Sequence, residues 1–198
     1  MRITLSITFA AAFLCGCGTN PVWKRQTFAF SVPAAPPSSG VLTNVVALKR
    51  VSVSPLFQSQ SFTYRVGENA YEHDPYAGFL IPPERAVAEA MRNSMRNSGA
   101  FGNLSEPGSE LIPNVVIEAA VTELCGDFRQ PSHAVGLMEI HFVVYEAHDG
   151  FSGRILVNKT YSHESTLSQK TPAELMAAWE TDLREILENL KSDFAKAN

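Results

Sequence analysis

The order of patterned segments predicts an α+β domain: a mostly antiparallel sheet with two amphipathic helices packed against it. Three observations predict it. Strand-like runs come in two groups, each joined by short turn-rich connections, which is the mark of hairpins. A Pro-initiated helical segment separates the groups, and a long apolar stripe at helical spacing closes the chain.

Gln26 to Val32 alternates, with Phe28 and Phe30 on one side, and reads as a first strand. Val45 to Val53 is a stronger one, Val-rich and stopped by Pro55, whose ring removes a ladder donor. Ser61 to Val66 and Ala70 to His73 flank Gly67-Glu68-Asn69, a hairpin signature. Pro82-Pro83-Glu84 opens a helix whose inward face is Val87, Ala90, Met91, Ser94 and Met95, and Gly99 ends it. Phe101 to Leu104 returns the chain. Val115 to Leu124, Leu137 to Ala147 and Ile155 to Leu167 are three further strands, the last two paired across Asp149-Gly150. Thr171-Pro172-Ala173-Glu174 is a capping box with Pro at the first helical position. Behind it Leu175, Trp179, Leu183, Ile186, Leu190 and Phe194 recur at helical spacing, while Glu174, Glu180 and Asp182 early and Lys191 and Lys196 late suit the helix dipole.

With 45% hydrophobic and 18% charged residues among 198, the chain can bury a core, and disorder is excluded as its main state. A net charge of −4 gives no basic footprint for nucleic acid, so that partner class is excluded too. Charge is uneven all the same. From Cys17 to Gly67 there are five bases, Lys24, Arg25, Lys49, Arg50 and Arg65, and no acid.

Met1-Arg2 and the apolar run Ile3 to Leu14 form a short charged region and a hydrophobic region too short to span a bilayer, which takes about 20 residues. Leu14-Cys15-Gly16-Cys17 follows and resembles the bacterial lipobox: aliphatic at −3, small at −1, Cys at +1. Cys17 is the expected lipidation site, with peptidase cleavage between Gly16 and Cys17, because Cys15 would put bulky Leu14 in a pocket shaped for small side chains. Gly18 at +2, where Asp would retain a lipoprotein at the inner membrane, points to the periplasmic face of the outer membrane. The expected organisation is a signal peptide over 1–16, a lipidated tether over 17–23 and one domain over 24–198. With Cys17 acylated, Cys125 is the one remaining thiol of the mature chain, so no internal disulfide forms. Pro33 to Gly40, rich in Pro and Ser, reads as extended and solvated.

The stretch Phe62-Thr63-Tyr64-Arg65, then Tyr76-Ala77-Gly78-Phe79-Leu80-Ile81-Pro82-Pro83-Glu84-Arg85-Ala86-Val87, ending Ser98-Gly99-Ala100-Phe101, resembles the auxiliary lipoprotein family of ABC-type transport systems. The resemblance covers roughly residues 24 to 195, and its specific part is about 40 residues long. It implies a non-enzymatic outer-membrane lipoprotein that helps a lipid transport assembly with MCE-domain subunits to bridge the periplasm. The implied partner is an MCE-domain periplasmic protein of the transporter, with no cofactor. Homo-oligomerisation is a further expectation. The alternative is an outer-membrane lipoprotein acting as scaffold or regulator of another envelope-assembly machine, and a periplasmic enzyme is a third class.

No GxSxG, P-loop, HExxH, CxxC or Rossmann glycine pattern occurs. Glu139, His141 and Tyr145 share a strand face by alternation, and His163 with Glu164 lies on a neighbouring strand. A metal site is conceivable there, but a solvated face is the ordinary explanation, and no metal ligand is assigned. Tyr71-Glu72-His73-Asp74 puts acid and base together without a nucleophile and reads as a loop. Cys125 reads as a buried small apolar residue, and Met91, Met95 and Trp179 as core. Tyr76 and Phe79, in an aromatic lead-in to the first helix, are the candidate partner contacts, with packing at the helix start as their structural alternative.

Overall fold

The computed structural model describes residues 24–31, 44–98, 101, 103–130, 132–148 and 151–197. Cys17, Gly16, Gly18, the tether and the Pro33 to Gly40 segment lie outside them. Among the described residues there are eight strands, β1 (Gln26–Phe28), β2 (Val45–Val53), β3 (Ser61–Arg65), β4 (Tyr71–Phe79), β5 (Asn103–Leu104), β6 (Val115–Asp127), β7 (Val135–His148) and β8 (Phe151–Thr166). The helices are α1 (Pro83–Ser98) and α2 (Pro172–Ala197). The expected α+β class is what the structure shows.

β6 is the axis of the sheet. Antiparallel β7 covers one edge from Val115↔Glu146 to Asp127↔Val135, and β8 continues the sheet antiparallel to β7. Its other edge is shared: β2 runs parallel along Val115 to Val121, and β3 runs parallel at Gly126 and Asp127. A short 3-10 turn, Pro55–Phe57, carries the chain from one to the other, with Ser54 N donating to Val121 O (2.8 Å). β4 pairs antiparallel with β3, β1 parallel with β4, and β5 parallel with β2.

The sheet is therefore mixed rather than mostly antiparallel. The hairpin ladders are antiparallel as expected. The parallel pairs of β2 with β5 and β6, and of β3 with β6, span α1, which acts as a crossover; these and the parallel β1–β4 pair are long-range pairings that local turn signals do not encode. β1 is shorter than the alternation suggested. β4 ends at Phe79, after which Pro82 and Pro83 start α1, so β1 has no ladder partner beyond Phe28.

Both helices bury one face of the sheet, α2 over β7 and β8, α1 over β2 and β5. On α1, Val87, Ala90, Met91 and Met95 are buried and Ser94 half-buried, as the spacing predicted. Pro82 O accepts from Arg85 N and Ala86 N, so the residue before Pro83 closes the first turn. On α2 the whole stripe from Leu175 to Phe194 is buried. Thr171 Oγ1 accepts from Glu174 N (3.2 Å), while Glu174 Oε2 accepts from Ser168 Oγ (2.8 Å), so only one half of the capping box forms.

Two glycines let α2 come down. Gly126 and Gly136 are cross-strand partners, and a Cβ on Gly136 would lie 2.7 Å from Ala178 Cβ, one on Gly126 3.1 Å from Leu175. Trp179 fills the adjoining space: it is fully buried, edge-on to Phe62 (4.9 Å), stacked on Phe79 (5.5 Å), and its Nε1 donates to Cys125 O (3.2 Å).

Candidate functional site

Of the two candidate partner contacts, the structure separates one from the other. Phe79 is 3% exposed, packed among Trp179, Phe62 (4.9 Å) and Phe30 (6.1 Å), and is core. Its assignment as a contact surface is corrected: it sits on the β4 face that turns toward α2. Tyr76 is 49% exposed.

What holds Tyr76 out is a wide bulge. From Thr63↔His73 the β3–β4 register jumps to Ser61↔Gly78, so β4 must accommodate extra residues between His73 and Gly78. Asp74 pins them. Its Oδ1 accepts from Tyr76 N (2.7 Å) and Ala77 N (3.0 Å), and its Oδ2 accepts from the Tyr64 hydroxyl. Tyr64 stacks on Phe128 (4.9 Å). Burial, then the Asp74 carboxylate, raise its phenol well above the ordinary value, so it stays a donor. Glu72 and His73 are strand residues, as the hairpin signature predicts, and Asp74 is a bulge residue within β4, which corrects the reading of Tyr71 to Asp74 as a loop. His73 Nδ1 lies 3.2 Å from Thr63 Oγ1, and Asp74 alone supplies the pin.

β1 borders the bulge through Gln26↔Ala77 and Thr27↔Gly78. Arg25 Nη2 donates to Ser61 Oγ (3.1 Å) across Gly78, where a Cβ would lie 2.2 Å from Gln60 O and 2.7 Å from Arg25. This close crossing is why position 78 is glycine. Lys24, Arg25, Tyr76 and Leu80 (60% exposed) thereby occupy one sheet edge.

The Glu/His residues of β7 and β8 are not brought together. Glu139 accepts from Thr122 Oγ1 (2.6 Å), His141 Nδ1 lies 3.0 Å from Thr160 Oγ1, and the Tyr145 hydroxyl donates to Glu118 (3.3 Å). All three lie on the helix-free face. His163, paired with buried Met138, points the other way, toward α2. Among the described residues no group of three or more His, Cys, Asp or Glu is placed to hold a metal ion. Cys125 is fully buried, and its thiol is pushed up to about 12, first by burial and then by Glu123 and Asp127.

The sequence reading missed one cluster. Asp182, expected to be a dipole-facing acid, is 0% exposed. Its Oδ1 is 2.8 Å from His163 Nδ1 and accepts from Ser165 Oγ at 2.5 Å, while Oδ2 makes no hydrogen bond among the described residues. The signal was present: Asp182 sits between Trp179 and Ile186 on the apolar stripe. In a Ser–His–Asp relay the serine would donate to the imidazole. Here both groups converge on one carboxylate oxygen, an arrangement that docks α2 rather than activating Ser165.

Burial raises the Asp182 carboxyl to about 6, against its hydrogen bonds to His163 and Ser165, which lower it. Its contribution to stability is therefore complete below the ordinary carboxylate value and is lost as pH rises through about 6. Asp182→Asn removes that titration. Urea midpoints from pH 4 to 8 should show wild type losing ground against the variant between about pH 4 and 6, with a constant difference above about 7. Parallel curves throughout would mean that Asp182 does not titrate in this window.

No known family model matches the chain, and no curated protein matches it in sequence. Solved structures do match. Protein XCC0632 from Xanthomonas campestris, of the DUF330 family, superposes with a TM-score of 0.72 at 15% identity, over 84% of this chain and 92% of that one. An uncharacterised protein superposes with a TM-score of 0.62 at 11% identity, over 86% and 98%. The hypothetical protein CT253 from Chlamydia trachomatis gives 0.51 at 14% identity, over 77% and 98%. The chain therefore has a fold that a DUF330 protein shares along nearly its whole length.

Proposed function

We propose that this chain is a non-enzymatic lipoprotein of the outer membrane, facing the periplasm, that serves as an accessory component of an ABC/MCE-type lipid transport system. The observation that carries the reading is the join between tether and domain. A lipobox ending at Cys17 precedes a sheet edge on which Tyr76 is held half-exposed by a purpose-built bulge. A large amphipathic ring fixed on a rigid turn is the kind of group that anchors protein interfaces. The resemblance of residues 62–101 to the auxiliary lipoproteins supplies the partner class: an MCE-domain periplasmic protein, met by one copy or by a homo-oligomer. No helix among the described residues is long and apolar enough to cross a membrane, which is compatible with a lipid anchor.

A photo-crosslinking residue at Tyr76 should capture the MCE-domain protein in living cells. The same residue at Arg184, on the exposed face of α2, tests whether a second surface joins in. Deletion of the gene should sensitise cells to membrane stress as loss of the transporter does. Crosslinks to cell-wall synthesis enzymes alone, with the transporter working normally without this protein, would replace transport by the scaffold or regulator reading.

A further inference from the structure

We infer that the groove between α1 and β2 is a binding site for a phosphate-bearing anion with an adjoining apolar part, the chemistry of an anionic phospholipid. The site goes beyond the transport reading and does not depend on it. The groove measures about 660 Å³, within the range of small-molecule sites. Five cations line it: Lys49 and Arg50 from β2, Arg85 and Arg92 from α1 and, apart from these four, Arg96.

The local structure explains why they converge. Successive residues of a regular strand face opposite ways. The β2–β6 register breaks between Leu48 and Arg50, and Lys49 and Arg50 both end up exposed on the groove. Arg85 and Arg92 are seven residues apart, two helical turns, and so share a side of α1. Among the described residues none of the four makes a hydrogen bond or ion pair with another side chain. Arg96 shows the contrast: it is tied to Glu106, with Nε to Oε1 at 3.1 Å, and to Asn93 at 3.0 Å.

Glu84 and Glu89 also line the groove, so four unpartnered cations face two acids after the Arg96–Glu106 pair is set aside. The floor is apolar, with Val51 and Ala88 each 7% exposed. Guanidinium forks match phosphate oxygens in geometry, and an apolar floor beneath them suits the glycerol and first methylenes of a lipid better than a bare ion.

Isothermal titration calorimetry on the full chain in non-ionic detergent tests this with three probes: dihexanoyl phosphatidylglycerol, dihexanoyl phosphatidylcholine and inorganic phosphate. The phosphatidylglycerol should bind, about tenfold more weakly in Arg85→Gln/Arg92→Gln and in Lys49→Gln/Arg50→Gln. Arg184→Gln, an exposed cation of α2 outside the groove, should bind it like wild type. Thermal midpoints confirm that the variants are folded. Phosphate that fails to displace the lipid identifies a lipid ligand. Phosphate that displaces it at its own equal affinity supports the anion site with a soluble phosphate as source. Equal affinity in groove variants and Arg184→Gln, phosphatidylcholine bound as tightly as phosphatidylglycerol, or no binding would each overturn the proposal.

Discussion

Replacing Trp179 by alanine should lower the stability of the domain by about 3–5 kcal/mol, the range for deleting a fully buried large aromatic. The size of the effect follows from what the indole joins. It meets Phe62 of β3 edge-on and stacks on Phe79 of β4, so it links α2 to the β3–β4 hairpin. Aromatic pairs of this kind add about 0.5–1.5 kcal/mol to burial alone. Truncation also leaves Cys125 O without its donor in a fully buried setting. Neighbouring side chains have little freedom to fill the space, because Gly126 and Gly136 already bring α2 against the sheet. Urea unfolding followed by far-ultraviolet circular dichroism measures the loss. An unchanged midpoint would show that α2 does not dock through this residue.

That prediction needs little beyond the sequence, and the reason shows how far the sequence reaches. Trp179 lies on a stripe whose period is local, and local periods survive folding: α1, α2, β2 and the β6–β7–β8 strands all stand close to where the residues placed them. What was not legible depends on partners distant in sequence. The parallel alignment of β2 and β3 on β6 joins residues more than 60 positions apart and leaves no trace in alternation. Phe79 and Tyr76 look alike in sequence, both aromatic and three residues apart. A bulge pinned by Asp74 sends one into the core and the other to the surface, and its only local sign was the Asp-Pro pair. Asp182 was readable in principle, since an acid on an apolar stripe requires a buried partner. Its partners His163 and Ser165 come from β8, and only the packing of α2 on that strand reveals them.

Cys17→Ala should leave the protein unacylated and unprocessed at the lipoprotein site, whereas Cys15→Ala should change neither. The asymmetry is chemical. Acylation needs a thiol to carry the diacylglyceryl group and, after cleavage, a free amine on the same residue to take another chain. Gly16 offers a small side chain before Cys17, while Leu14 before Cys15 does not. One acyl chain gives only marginal, reversible membrane binding, and each buried methylene contributes about 0.8 kcal/mol, so three chains on Cys17 make a lasting anchor and none leaves the domain without one. The substitution lies outside residues 24–197, so the fold and the α1–β2 groove are expected to be unaffected, separating loss of location from loss of structure. Mass spectrometry of the mature N-terminus reads the result directly: removal of residues 1–16 from the 198 leaves 182, beginning at lipidated Cys17. A mature chain starting elsewhere, or an unmodified Cys17 in wild type, would remove the anchor. The Tyr76 edge would then have no tether to hold it beside a membrane.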